Sequence, residues 1–212
     1  MRRFTVLAAL AACLGAAAPA LAAPVFSYFV PQASYAVNAG ATVSVAVYLQ
    51  EIAAPNDSDS LLLSHDGLAT AGVEVAQSAT PHVTISNVTA NLGAAATAFD
   101  PPAGITALPA TDVTLQLSDD FSRVDGTNAP PTNGIRQILL GTFTFSADTS
   151  ASGPVIFSIA DPSGTTDTTL FSDLTPLDSQ IVGTSVTLNV TPTPEPATLA
   201  TLALSALLLL PR

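Results

Sequence analysis

Residues 42–49 read TVSVAVYL, and this stretch decides the fold class. Val43, Val45, Val47 and Leu49 fall on one side of an extended chain, and Thr42, Ser44 and Ala46 on the other. Side chains alternate faces along a strand, so period two with one apolar and one polar set describes a strand with one buried face. Val and Thr also suit a half-buried pleated surface. The pattern recurs in DVTLQLS, with Val113, Leu115 and Leu117 together, and in GTFTFS, with Phe143 and Phe145. VIFSIA places Val155, Phe157 and Ile159 on one face, and TSVTLNV does the same with Val186, Leu188 and Val190.

Turn residues separate these runs: Asn38-Ala-Gly40, Asp66-Gly67, Asp125-Gly126, Asn133-Gly134, Ser152-Gly-Pro154 and Pro162-Ser-Gly164. No amphipathic helical pattern of useful length lies between the termini. About eight or nine strands without helices predict an all-β, antiparallel β-sandwich over residues 24–191. Residues 50–67 and 92–112 are the least regular parts.

The two ends read differently. Arg2 and Arg3 precede an apolar stretch from Phe4 to Leu14, and Ala20-Leu21-Ala22 is a small-x-small cleavage site. This is the form of a secretory signal, so 1–22 is a signal peptide with Ala20 and Ala22 at its cleavage site. Leu10-Ala-Ala-Cys13 also resembles a lipoprotein box, in which the cysteine would carry lipid. Cleavage after Ala22 leaves three Arg against sixteen Asp and Glu, with no Lys and no Cys. A formal charge of −13 excludes nucleic acid as a partner. The absence of cysteine excludes disulfides, thiol catalysis and thiolate metal sites in that mature chain.

At the other end a Thr/Pro linker, 192–196, leads into 197–212, where Ala197 to Leu210 carries no charge. As a helix these fourteen residues would be about 21 Å long, against roughly 30 Å of hydrocarbon. Seven leucines favour the membrane by about 3–4 kcal/mol, enough to hold the segment there but less than a full anchor.

Few residues suggest catalysis. His65 and His82 are the only histidines, and His65-Asp66 reads as a polar turn. His82 follows Pro81 at the start of a strand and reads as an exposed edge residue. No G-x-S-x-G elbow is present, and two distant histidines without cysteine make no zinc site. The sequence therefore predicts a protein that is not an enzyme and needs no cofactor. The one cation it admits is Ca2+, through loop carboxylates at Asp119, Asp120 and Asp125, with Asn128 nearby, or at Asp57 and Asp59. Neither stretch has EF-hand spacing, and Arg123 is placed to pair with a neighbouring carboxylate. With no Trp and three Tyr the chain is poor in aromatic platforms, and Thr142-Thr144 or Thr184-Thr187 alone are too short for an ice-binding array.

Two resemblances follow from these residues. ASYAVNAGATVSVAVYLQE, GVEVAQSATPHVTISNVTANLG and ILLGTFTFSADTSASGPVIFSIAD resemble successive strands of cohesin-type modules. That resemblance implies a nine-stranded jelly-roll sandwich; cohesins proper bind dockerins, a property not carried over here. Pro194-Glu195-Pro196, the apolar run and the terminal Arg212 resemble the PEP-CTERM sorting signal, a tail also catalogued with ice-binding proteins. It implies an inner-membrane precursor, processing by an exosortase at Pro194, Glu195 and Pro196, and release to the cell surface or extracellular matrix. The family's tail usually ends in several Arg, and this one has a single Arg. The expectation is an adhesion or matrix protein, with a ligand-binding module for a glycan or protein partner as the alternative.

Overall fold

The computed structural model describes residues 25–52, 60–62, 67–77, 82–119, 122–128, 134–162 and 167–193. The signal segment with Ala20 and Ala22, the motif Pro194, Glu195 and Pro196, and the C-terminal run lie outside the described residues, as do Asp57, Asp59, His65 and Asp120. Among the described residues no helix is long and apolar enough to cross a membrane.

Two β-sheets face each other. The first runs β12 (Ile181–Val182), β1 (Val25–Phe29), β3 (Thr42–Ile52), β9 (Ile135–Ala147) and β5 (Val83–Ala90), with β8 (Thr127–Asn128) also paired to β9. The second runs β2 (Ser34–Asn38), β13 (Thr184–Thr191), β10 (Gly153–Ala160), β4 (Leu68–Gln77), β7 (Asp112–Ser118) and β6 (Asp100–Ile105), with β11 (Thr169–Leu170) on β4. All five alternating runs form strands, and their apolar members face the core: Val45, Val47, Leu49, Phe143 and Phe145 from one sheet, Leu115, Phe157, Ile159, Val186 and Leu188 from the other. The rings of Phe145 and Phe157 meet across the sheets with centroids 4.5 Å apart. Each such side chain contributes about 1.5–3 kcal/mol by leaving water.

The expected antiparallel count is exceeded for a physical reason. Pro31 lies between β1 and β2, and Gly183 between β12 and β13, so each end of the domain contributes to both sheets. A Cβ at Gly183 would come within 3.0 Å of the Ile159 carbonyl oxygen, so the crossing needs glycine's small profile. The crossings also create the two parallel pairs, β1 with β12 and β2 with β13. Within the irregular stretch 92–112, β6 forms an edge strand on β7.

The chain enters and leaves at opposite poles. Val25 pairs with Ile52 at one end of β3, whereas Thr191 pairs with Asn38 beyond the other end. Gly40, with φ of 80°, turns the chain into β3 there and donates to the Ala147 and Asp148 carbonyls.

Candidate functional site

The second sheet carries a hollowed outer face. Two adjoining depressions of about 410 and 370 Å3 lie over β4, β7 and β6 and share Gly104 and Gln116. Glu74 and Thr114 border one, and Thr70, Ser118 and Asp167 the other. Thr70, Glu74, Thr114, Gln116 and Ser118 are polar, outward members of strands whose alternate residues fill the core, and Asp167 comes from outside the strands.

Beside this face residues 167–178 fold back over β4, where β11 pairs with it. Asp161, Asp167 and Asp178 place carboxylate oxygens within 4.8 Å of one another, the one such group among the described residues. Tyr28 Oη donates to the Gly72 carbonyl at 2.7 Å and to Asp161 Oδ1 at 3.3 Å. Asp178 Oδ1 accepts from the Thr168 N–H at 2.9 Å and the Asp167 N–H at 3.3 Å. Partial burial, with the charges of Asp178 and Asp167, pushes the Asp161 carboxyl up to about 6. Burial, reinforced by Asp161 and Asp167, raises the Tyr28 phenol far above its ordinary range. With one oxygen each, the three carboxylates would supply three of the six to eight ligands of a Ca2+ shell. The crowding keeps Asp161 protonated to a higher pH than a free carboxyl.

The two described carboxylates expected near a cation, Asp119 and Asp125, have partners within their own turns. Asp119 is buried and accepts from its own turn, from Ser122 N at 2.8 Å and Ser122 Oγ at 3.1 Å. Asp125 pairs with Arg123 at 2.8 Å, as the sequence suggested. Asn128 joins β8 opposite Arg136. The triad of Asp161, Asp167 and Asp178 escaped sequence reading because its members are spread over eighteen residues with no motif spacing.

His82 lies exposed at the start of the edge strand β5, where it was expected. Its Nδ1 meets Asp148 Oδ2 at 2.9 Å and Ser150 Oγ at 3.0 Å. A Ser-His-Asp relay uses the two ring nitrogens separately, one for the nucleophile and one for the orienting acid. Here both contacts fall on one nitrogen, and Ser150 Oγ also donates to Asp148 Oδ1 at 2.7 Å. The cluster ties a turn to a strand; the His82 and Ser150 bonds hold Asp148 down at about 2.

A further buried pair closes the pole where the chain enters. Glu51 of β3 and Arg136 of β9 stand opposite each other in register, 0% and 1% exposed. Glu51 accepts from Ser60 Oγ at 2.7 Å, Leu61 N at 2.8 Å and Leu62 N at 3.0 Å. Arg136 Nη1 donates to the Ile135 carbonyl at 2.9 Å. Neither residue stood out in the sequence.

No family model and no curated protein matches this chain. Among solved structures it is similar to a chain of the CaDoc0917–CaCohA2 complex, with TM-score 0.52 and 11% identity over 78% of this chain and 99% of that one. It is also similar to the sixth cohesin of Acetivibrio cellulolyticus scaffoldin B, solved with the Cel5 dockerin, at TM-score 0.49 and 20% identity over 79% and 99% of the two chains. CaCohA2 from Clostridium acetobutylicum gives TM-score 0.48 and 12% identity over 79% and 91%. At such identities the likeness speaks for the fold alone: a β-sandwich, as the strand pattern predicted, of the cohesin-like kind that the resemblance implied.

Proposed function

We propose that this chain is an exported, non-enzymatic surface or matrix protein whose cohesin-like sandwich is a binding module. It is held at the inner membrane by Ala197 to Leu210 and processed by an exosortase at Pro194, Glu195 and Pro196. The observation that carries the reading is where the fold closes. Ala39 N donates to the Thr191 carbonyl at 2.9 Å, and Thr193 Oγ1 donates to the Ala39 carbonyl at 3.0 Å. In sequence the motif begins at the next residue, after the last described tie to the domain. Cutting there would leave every strand intact. The single-nitrogen geometry at His82 supports a binding role over hydrolysis.

The test is intact mass on membrane, surface and medium fractions of the native cells. A surface or medium species lacking residues 1–22 and everything beyond the Pro-Glu-Pro region is expected. A species that keeps Ala197 to Arg212 and occurs only in membranes would remove the sorting step.

A second reading concerns the partner of the hollowed face of β4, β7 and β6. A protein partner of the dockerin kind suits it, since the depressions adjoin and mix polar and apolar lining. Calorimetry with a purified dockerin module is the direct measurement. Gln116→Trp, which fills the wall shared by both depressions, is expected to abolish the heat; equal heats for the two proteins would exclude this face.

A further inference from the structure

The outer face of the first sheet carries no charge. In the strands that build it, β1, β3, β5, β8, β9 and β12, the only charged side chains are Glu51 and Arg136, and both are buried on the inward side. This holds in a chain with sixteen acidic residues, and the other described carboxylates sit on the opposite sheet and on loops. Solvent-facing strands ordinarily carry charges, which keep sheets soluble and apart.

What stands there instead is ordered in rows. Register aligns Phe29, Tyr48 and Leu139 across β1, β3 and β9. The next row aligns Gln50, Gln137 and Thr127 across β3, β9 and β8. The Phe29 and Tyr48 rings lie 6.2 Å apart, tilted by 55°. Gln137 Nε2 donates to Gln50 Oε1 at 2.7 Å, which holds both amides in place. Tyr48, Gln137, Leu139 and Thr127 then meet Asn91 and Thr97 around a hollow of about 170 Å3. Asn91 is fixed through Nδ2, which donates to the Thr97 carbonyl at 2.7 Å and the Leu139 carbonyl at 2.9 Å.

We propose that this hollow, with the Phe29 and Tyr48 rings beside it, binds a neutral polysaccharide. A sugar ring presents apolar C–H bonds on its face and hydroxyls around its edge. Aromatic rings accept the face, while amides and hydroxyls, which both donate and accept, take the edge. The hollow is smaller than the roughly 300–1,000 Å3 of pockets that enclose whole drug-sized ligands, so it takes one ring of a longer chain. Side chains already fixed by their own hydrogen bonds lose little freedom on binding. A neutral polymer asks for no charged partner, whereas an anionic one would be repelled by the acidic chain. The site is on the opposite sheet from the depressions over β4, β7 and β6, and stands whether or not the tail is a sorting signal.

The test is native gel electrophoresis of the protein recovered from its host, in gels containing galactomannan, xyloglucan or hydroxyethylcellulose, with alginate as the anionic comparison. Retardation in at least one neutral gel and none in alginate is expected. Tyr48→Ala is expected to weaken the retarding interaction about tenfold, and Ile156→Ala, at an exposed position on the other sheet, to leave it unchanged. Thr127→Trp, which fills the hollow from an exposed position, serves if Tyr48→Ala does not fold. Free migration in all three neutral gels overturns the proposal, as does equal retardation of wild type and the Thr127 variant. A dimer that Tyr48→Ala dissociates, without retardation in any gel, overturns it too and assigns the face to a second copy of the chain.

Discussion

The carboxylate of Asp167 rests directly against the Cα of Gly72, where a Cβ would overlap it. Gly72 also donates its N–H to Thr168 Oγ1 at 3.1 Å, and its carbonyl accepts from Tyr28. The middle of β4 is thus covered on its outer face by the segment that brings Asp167 in. Gly72→Ala is expected to lift that segment, at a cost of about 2 kcal/mol. Asp167→Ala in the same chain removes the overlap. A double-mutant cycle by urea denaturation should therefore show coupling of about 1 kcal/mol or more. Strictly additive losses would mean that the two residues are not in contact.

The acidic triad makes stability depend on pH. Asp161 ionises at about 6 in the fold, because of its partial burial and the charges of Asp178 and Asp167, against 3.8 for the free side chain. A raised value means the folded protein holds a proton that the unfolded chain has released. This contribution is therefore complete below pH 4 and is lost as pH rises to about 6. Discounted for its remaining exposure, the effect is about 1 kcal/mol. Wild type should melt higher at pH 4.5 than at pH 7. Asp161→Asn should flatten that interval while still accepting the Tyr28 bond. Asp148, held at about 2 by His82 and Ser150, acts with the opposite sign and only at lower pH.

One strand tests the core by alternation. Phe157 is 0% exposed and packs its ring at a tilt against Phe145, whereas its neighbour Ile156 is 55% exposed. Phe157→Ala should cost about 3–5 kcal/mol, and Ile156→Ala less than about 0.5 kcal/mol. Equal losses in chemical denaturation would mean that the register of β10 differs from the one described.

That alternation is why so much of the fold was legible. Val45, Phe145, Leu115, Phe157 and Leu188 advertise their inward faces through local spacing alone. Sheet membership is not local. Nothing near Pro31 or Gly183 states that the chain changes sheets there, because the partners that make the change favourable lie more than a hundred residues away. The polar sites follow the same division. Asp119 and Asp125 look clustered in sequence, yet a Ser122 turn and Arg123 engage them locally. Asp161, Asp167 and Asp178 look scattered and are brought together by a short 3-10 turn at Asp178–Gln180 and the fold-back onto β4. The aromatic pair and amide row of the uncharged face likewise exist only through strand register.

Glu51 gives the sharpest test of the pole where the chain enters. Its carboxylate receives three hydrogen bonds, two of them from the backbone of Leu61 and Leu62, and it faces the buried Arg136. A buried charge is tolerated only where such donors and an opposite charge compensate it. Glu51→Gln keeps the shape but turns an NH2 group toward the donors of Ser60, Leu61 and Leu62. The loss should be about 3 kcal/mol, seen as a melting temperature lower by roughly 6–12 °C for a domain of this size. Replacing both residues, Glu51→Leu with Arg136→Met, removes the charge to be compensated and should recover part of that loss. It would still leave the Leu61 and Leu62 amides without their acceptor, so recovery is expected to be incomplete. Full recovery would mean that those amides find water or another acceptor. An unchanged melting temperature in Glu51→Gln would mean that the carboxylate contributes shape and not charge.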